Sequence, residues 1–396
     1  MDSMTDKVSL KTIAYEWTKL GITGFGGPSA HITLLRKLSV LERKWLSEQE
    51  FEDAIGATNL LPGPASTQMA IFIGWHLRRV SGAIVAGLCF ISPGLILILI
   101  LSELLLRSNL PLWVNGAALG AGAAVPMIAL SASHKLLLPS WKRAGSNRIA
   151  RIRWIIYVIL GIFGTVFLGP YLVVLLIACG GSELILTHRS RPSSGPRTPL
   201  VSFIPVLFLG ILGFGGISAL AFVAFKIGAL SFGGGFVIVP LMQHDAVVNY
   251  HWMSAPKFLD AVALGQITPG PVVQTVAVVG YSADGIRGGL LAALIAFTPS
   301  FLFIIFGGPH FSRLRNSQLT QSFLRGSAPA AIGAIGGAAI TLGLALSFPW
   351  QIAIVVFTGV WLLAMKRGTL SAILISGAFG VGLSLIGVVS MSSIGH

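Results

Sequence analysis

The chain has 396 residues, of which 54% are hydrophobic and only 10% are charged, and its mean hydropathy is +0.84. Soluble domains carry about 25% charged residues, so this composition excludes a soluble globular protein. The formal net charge of +14 does not predict nucleic-acid binding, because basic residues collect in the cytoplasmic loops of membrane proteins.

The apolar segments, taken in chain order, predict membrane helices. The N-terminal segment 1–10 is polar and lacks the apolar core of a removable signal peptide. Beyond it, segments without Asp, Glu, Lys or Arg cover residues 54–77, 80–102, 108–134, 154–182, 198–225, 261–283, 288–312, 326–365 and 368–396. Each is near or above the ~20 apolar residues that cross a bilayer as a helix, and none alternates in polarity as barrel strands do. We predict an all-α polytopic membrane protein with about 13 crossings.

No enzyme or cofactor class has a signature in the chain. It contains no Walker A loop, no His/Cys metal spacing and no Asp-rich pair for Mg²⁺. Cys89 and Cys179 lie in apolar segments and predict neither a disulfide nor a metal site. We therefore predict a transporter without cofactors, which is not an enzyme and is driven by an ion gradient or the membrane potential.

The chain contains an internal repeat. A shift of 207 residues places Lys19 on Lys226, Phe25-Gly26-Gly27 on Phe232-Gly233-Gly234, Trp45 on Trp252, Asn59 on Gln266, and Pro62-Gly63-Pro64 on Pro269-Gly270-Pro271. After one deleted residue, Gln68 falls on Gln274 and Pro93 on Pro299. Rare residues matched in a fixed order indicate a duplication. It predicts a first half (1–187), a linker with an extra membrane helix (188–218) and a second half (219–396).

The basic residues predict that the two halves are inverted. Two short helices in 154–182 and an extra helix in 199–217 give an odd number of crossings between the repeat starts. In that arrangement 19 of the 25 Lys and Arg outside the helices lie on the N-terminal side, against 11 in a parallel arrangement. The positive-inside rule expects a marked bias. We therefore predict an inverted repeat in the bacterial inner membrane, with a cytoplasmic N-terminus.

Two Gly/Pro motifs recur in each half. The first Phe-Gly-Gly motif is Gly24–Pro28 and the second is Ser231–Gly235; the first Pro-Gly-Pro motif is Asn59–Pro64 and the second is Gln266–Pro271. Proline removes a backbone donor and glycine tolerates positive φ, so the motifs predict broken helices at membrane depth. The N–H groups at a helix N-terminus bind anions, and inverted-repeat transporters place such breaks around their substrate. The alternative is that these residues only allow kinks or close packing.

Polar residues near the motifs complete a candidate substrate site. Amides and hydroxyls donate hydrogen bonds without burying a charge, and an intramembrane Lys is a functional candidate. The predicted substrate-binding residues are Lys19, Gly26, Gly27, Pro28, Ser29, Asn59, Pro62, Gly63, Pro64, Thr67, Gln68, Lys226, Gly233, Gly234, Gln266, Pro269, Gly270, Pro271 and Gln274. The alternative role of the amides and hydroxyls is hydrogen bonding between helices. The alternative for the two lysines is that their side chains snorkel to the membrane interface.

Other polar residues keep two interpretations. His31 is either a proton relay or a hydrogen-bonded helix residue. Asp53 and Asp260 either carry protons for coupling or cap helix starts. Arg78-Arg79 is a topology signal or recruits anions.

At these motifs the chain resembles the chromate ion transporter family, specifically its long, two-domain members. The resemblance rests on Gly24–Pro28, on 59–68 and on their second-half counterparts, and it covers nearly the whole chain. It implies secondary export of chromate from the cytoplasm, with sulfate as a competing analogue, and chromate resistance. The second half has Gly235 for Pro28 and Ile238 for His31, so we expect the first half to contribute more to the site.

Two alternatives stay open. The same fold could import sulfate or another oxyanion, because direction is not written in the sequence. A membrane enzyme or sensor could use the Pro-Gly-Pro breaks as a lipid-headgroup pocket, but the Asp or His clusters that would favour it are missing. A homodimer is compatible with either transporter.

Overall fold

The computed structural model describes residues 8–59, 61, 63–106, 110–145, 147–190, 215–231, 236, 238–307 and 317–388. Pro62, Gly233, Gly234 and most of the predicted extra helix at 199–217 lie outside these ranges. The described part is helical and has no strand. Five of its helical segments are long and apolar enough to cross a membrane.

The first half contains seven described helices. They are α1 (Leu10–Thr23), α2 (Pro28–Arg36), α3 (Glu48–Thr58), α4 (Ala65–Leu105), α5 (Leu112–Arg143), α6 (Arg148–Phe163) and α7 (Leu172–Ser190). The second half contains α8 (Gly216–Leu230), α9 (Ile238–Gln243), α10 (Ala255–Ile267), α11 (Thr275–Gly307), α12 (Gln318–Leu344), α13 (Trp350–Gly359) and α14 (Thr369–Leu385).

The duplication extends to irregular features of the backbone. The π-helical turn Lys37–Glu42 after α2 has its counterpart in His244–Asn249 after α9. Lys44 and His251, which follow these turns, share a positive φ of 52°. The bend of α4 at Arg78-Arg79 corresponds to the bend of α11 at Asp284-Gly285. Because such features are costly for ordinary residues, their recurrence shows that the halves share local structure as well as sequence.

The bends fold α4 and α11 back on themselves. A Cβ added at Gly74 would overlap the Gly82 carbonyl and the Ala86 side chain. In a continuous helix, residues twelve positions apart are about 18 Å apart. Each of these helices is therefore a hairpin with a short first arm, which begins at a Pro-Gly-Pro motif, and a long second arm.

The shorter helices also form antiparallel pairs. Glu16 of α1 forms an ion pair with Arg43 beyond α2, and Trp17 stacks on Trp45 at 5.9 Å between ring centroids. In the second half the Ser282 hydroxyl donates to the Trp252 carbonyl at 2.7 Å, which pairs the first arm of α11 with α10. The first Phe-Gly-Gly motif lies at the closed end of the first pair, and the second Pro-Gly-Pro motif lies at the closed end of the other.

The relative directions of α5, α6 and α12 follow from close contacts between their side chains and backbones. Trp141 and Trp154 meet at 5.0 Å between ring centroids, so α6 reverses the direction of α5. Gly333 packs on Val158 and Gly337 on Ile162, so α12 runs parallel to α6. Because α5 runs opposite to α6, α12 runs opposite to α5, its counterpart in the repeat. Small residues at these crossings let the backbones approach, as is usual between membrane helices.

Candidate functional site

The first Pro-Gly-Pro motif connects α3 to the first arm of α4. Pro64 is the N-cap of α4, and no side chain caps the amides of its first turn. Gly63 has a φ of 128°, which glycine adopts at little cost. Its N–H donates to the carbonyl oxygen of Ser231, in the second Phe-Gly-Gly motif, at 3.2 Å. We call this contact the Gly63–Ser231 joint.

The second Pro-Gly-Pro motif makes the reciprocal contact. Gly270, with a φ of 98°, donates its N–H to the carbonyl oxygen of Gly24 at 2.9 Å. The repeat places Gly24 on Ser231 and Gly63 on Gly270, so the Gly270–Gly24 joint is the counterpart of the first. The four motifs therefore meet in two joints, and each joint connects one half to the other.

Side chains fill the Gly270–Gly24 joint. Nε2 of His31 lies 2.8 Å from the Gly24 oxygen, and Nδ1 lies 3.3 Å from the Ser66 hydroxyl. Since a carbonyl only accepts, Nε2 carries a proton, and in the neutral ring Nδ1 accepts from Ser66. Gln274 donates from Nε2 to the Ile91 carbonyl in the second arm of α4 at 2.8 Å. His31 is therefore a hydrogen-bonded helix residue, one of its two interpretations from the sequence.

The predicted site residues divide by burial. Gly63, Pro64, Thr67, Gln68, Gln266, Pro269, Gly270, Pro271 and Gln274 are buried at or beside the joints. Gly27 and Pro28 are half-buried, and Lys19, Gly26, Ser29 and Asn59 are exposed. The second Pro-Gly-Pro motif is thus enclosed by protein. In the first half, by contrast, part of the Phe-Gly-Gly motif and Asn59 are exposed.

The two predicted lysines differ in their surroundings. The side chain of Lys226 is 8% exposed and forms an ion pair with Asp245, whose side chain is 3% exposed. Asn249 also donates to Asp245, at 3.0 Å. The charge of Lys226 is therefore compensated within the protein. Its counterpart Lys19 is exposed on α1.

The two aspartates are not helix caps. α3 begins at Glu48, and its N-cap Ser47 forms a capping box with Glu50. Asp53 lies a turn further on, and Asp260 lies inside α10, which follows the N-cap Ser254. An N-cap stands immediately before the first helical residue, where its side chain reaches the free amides, so the capping interpretation is wrong at both positions.

Comparison with known proteins identifies the family. The chromate transporter family model matches residues 11–182 and 218–382. The chain belongs to the chromate transporter family. The chromate transport protein of Cupriavidus metallidurans is 30% identical over 383 residues, covering 95% of this chain and 93% of that protein. The probable chromate transport protein of Synechococcus elongatus is 30% identical over 344 residues, 85% of each chain.

A shorter relative matches part of the chain. The uncharacterized transporter YwrA of Bacillus subtilis is 35% identical over 180 residues, 42% of this chain and 96% of that protein. No solved structure matches the chain. The chromate transporter family comprises transporters, not enzymes, and with the long apolar helices this makes the chain a multi-pass membrane protein.

Sequence reasoning missed three residues of this chromate transporter family member. Asp245 aligns with the apolar Leu38, so the repeat gave no sign of a partner for Lys226. Ser231 aligns with Gly24 and Ser300 with Gly94. A serine in one half where the other half has glycine was a usable signal, because it adds a polar group where the other half has no side chain.

Proposed function

We propose that the chain is a secondary active transporter that exports chromate from the cytoplasm, with sulfate as a competing analogue, and so confers chromate resistance. The pair of joints carries this proposal, because it brings the broken helices of both halves to one place. Relatives named as chromate transport proteins support chromate as the oxyanion.

The proposed site binds the oxyanion through neutral donors. Chromate and sulfate are tetrahedral dianions, which suit several converging N–H and O–H groups. The uncapped first turn of α4 begins at the Gly63–Ser231 joint, and the amide side chains of Gln68 and Gln274 lie beside the two joints. We leave Lys226 out of direct binding because Asp245 compensates its charge. We keep the other predicted residues, with the exposed first Phe-Gly-Gly motif as the approach to the site.

We propose further that the halves, 1–187 and 219–396, are an inverted repeat joined by the linker 188–218, which contains an extra crossing. The opposite directions of α5 and α12 support this arrangement. Inverted-repeat transporters place substrates at the repeat interface near the middle of the bilayer, which is where the joints would then lie.

The antiparallel pairs suggest a different count of crossings. If each pair enters and leaves the membrane on the same face, four re-entrant hairpins replace part of the about 13 crossings expected from length. The loop with Arg36 and Lys44 then returns to the N-terminal face. Of the 25 Lys and Arg outside Lys19 and Lys226, 22 then lie on that face, and the exceptions are Arg107, Lys257 and Arg287. This bias supports a cytoplasmic N-terminus in a bacterial inner membrane.

The test is uptake of radiolabelled chromate into energised inside-out vesicles, with and without excess sulfate. Export predicts accumulation that sulfate suppresses. Vesicles that contain the inserted protein but accumulate no more chromate than empty vesicles would contradict the proposal. Uptake into right-side-out vesicles instead would reverse the direction to import.

A further inference from the structure

Two serines of the second half lie at the Gly63–Ser231 joint with no partner for their hydroxyls. Ser231 and Ser300 are both 0% exposed, and neither hydroxyl has a hydrogen-bond partner among the described residues. Buried hydroxyls in native proteins nearly always have a partner. The two orphaned hydroxyls are therefore free to bind a ligand, because the described residues supply no partner for them.

The hydroxyls lie next to a helix N-terminus. A Cβ added at Gly63 would lie 3.0 Å from Ser300 Oγ, and the Gly63 amide donates to the backbone of Ser231. The first turn of α4 begins two residues after Gly63 and has no side-chain cap. Thr67, in that turn, is 0% exposed, and its hydroxyl also lacks a partner among the described residues. Hydroxyls and amides thus gather around one end of a helix.

Among the described residues, the other joint has no serine hydroxyl at these two positions. The counterparts of Ser231 and Ser300 are Gly24 and Gly94, which have no side chain. A Cβ at Gly94 would overlap the Pro269 carbonyl oxygen, so the backbone of the second Pro-Gly-Pro motif already occupies that space. His31 also donates to the carbonyl oxygen of Gly24, which already accepts from Gly270. Ile238, the counterpart of His31, is apolar and cannot do so at the first joint. The two joints share a backbone bond but differ in their unpartnered groups: serine hydroxyls lie at the first, whereas Gln266 Nε2 and Gln274 Oε1 are the unpartnered atoms beside the second.

We propose that the hydroxyls of Ser231 and Ser300 donate hydrogen bonds to a tetrahedral dianion, so that the Gly63–Ser231 joint is the principal oxyanion site. This inference rests on the transport function proposed above and assigns its substrate contacts to the second half. A fully deprotonated oxyanion has only acceptors, which matches hydroxyl and amide donors. The Gly270–Gly24 joint, filled by protein groups, holds the halves together.

The test measures equilibrium binding of radiolabelled sulfate, with chromate as competitor, to the purified full-length protein. Ser231→Ala and Ser300→Ala are compared with Ser131→Ala, whose hydroxyl is equally orphaned and 1% exposed but lies in α5. A hydrogen bond to a charged group predicts that Kd rises about tenfold to a hundredfold for each of the first two variants. Ser131→Ala should bind as the wild type does.

The outcomes separate this inference from the proposed function. Wild-type binding that neither Ser231→Ala nor Ser300→Ala weakens would overturn the serine assignment alone. A wild type that neither binds nor transports either anion would overturn the proposed function and the serine assignment with it.

Measurements of Tm with and without sulfate distinguish a ligand-binding role of the hydroxyls from a structural one. Removal of an unsatisfied donor should leave the ligand-free Tm of Ser300→Ala unchanged or raised, while its sulfate-induced rise in Tm falls below that of the wild type. A lower ligand-free Tm would show that the hydroxyl is already satisfied, for example by a bound water, and would overturn the proposal.

Discussion

Gly63 donates its backbone N–H to the carbonyl oxygen of Ser231, 168 positions along the chain, at 3.2 Å. Backbone groups at a helix break have no partner within their own helix, and in lipid an unsatisfied group costs several kcal/mol. Because Gly270 and Gly24 make the reciprocal bond, each half satisfies a break in the other. The site therefore depends on both halves.

The re-entrant arrangement predicts the accessibility of the turn after α2. Glu42, which is exposed there, is replaced by Cys in a protein whose Cys89 and Cys179 are changed to Ala. We expect a membrane-impermeant thiol reagent to label Glu42→Cys from the cytoplasmic face, because α2 returns to the face on which α1 begins. Labelling from the opposite face would show that α1 crosses the membrane.

The ion pair between Lys226 and Asp245 predicts strong coupling in a double-mutant cycle. Lys226→Met or Asp245→Asn alone should destabilise the protein by about 3–5 kcal/mol, because each leaves one buried charge. The double variant should recover most of that loss. The measurement is denaturant unfolding of the purified protein, with the exposed pair Arg36–Glu48 as control, where the cost is about 0–1 kcal/mol. Additive costs at the buried pair would contradict the assignment.

Close packing of the second arm of α4 predicts that Gly94 tolerates no side chain. Gly94→Ala would overlap the Pro269 carbonyl and displace the second Pro-Gly-Pro motif. Overpacking of this kind costs about 1–3 kcal/mol, and we expect a lower Tm together with reduced transport. Gly343→Ala is the control, because it lies in α12 with nothing within 4 Å. At that position alanine has the higher helix propensity, so the substitution should stabilise the folded protein by up to about 1 kcal/mol. Equal effects at both positions would refute the packing argument.

The capping box of α3 predicts a dependence of stability on pH. Hydrogen bonds from the Ser47 backbone N–H and hydroxyl lower the pKa of Glu50. A lowered carboxyl pKa contributes stability above the unfolded value of about 4.3, and this is lost as the pH falls through the folded value. Ser47→Ala should cost about 1 kcal/mol at pH 7, and the difference in Tm from wild type should narrow below about pH 4. A constant difference would contradict this role of Glu50.

The sequence alone predicted those features that depend on local composition and on the repeat. Apolar length predicted the helical class, and the Gly/Pro motifs predicted breaks, because φ and missing donors are properties of single residues. The separate charge-free segments 54–77 and 80–102 predicted a turn at Arg78-Arg79, and α4 bends at these two residues. The Asp245 partner of Lys226 and the position of Ser300 beside Gly63 arise from contacts between distant segments, which no local pattern encodes.

The central claim is that the two Pro-Gly-Pro glycines hold the transport site, and chromate uptake by inside-out vesicles tests it most directly. Gly63→Ala and Gly270→Ala are compared with Gly145→Ala. All three glycines have positive φ, but Gly145 has nothing within 4 Å. Gly145→Ala therefore controls for an alanine placed at positive φ outside the joints. We expect uptake to fall at least about tenfold in the first two variants and to stay at the wild-type level in Gly145→Ala. Wild-type uptake by Gly63→Ala and Gly270→Ala, with insertion confirmed, would contradict the account.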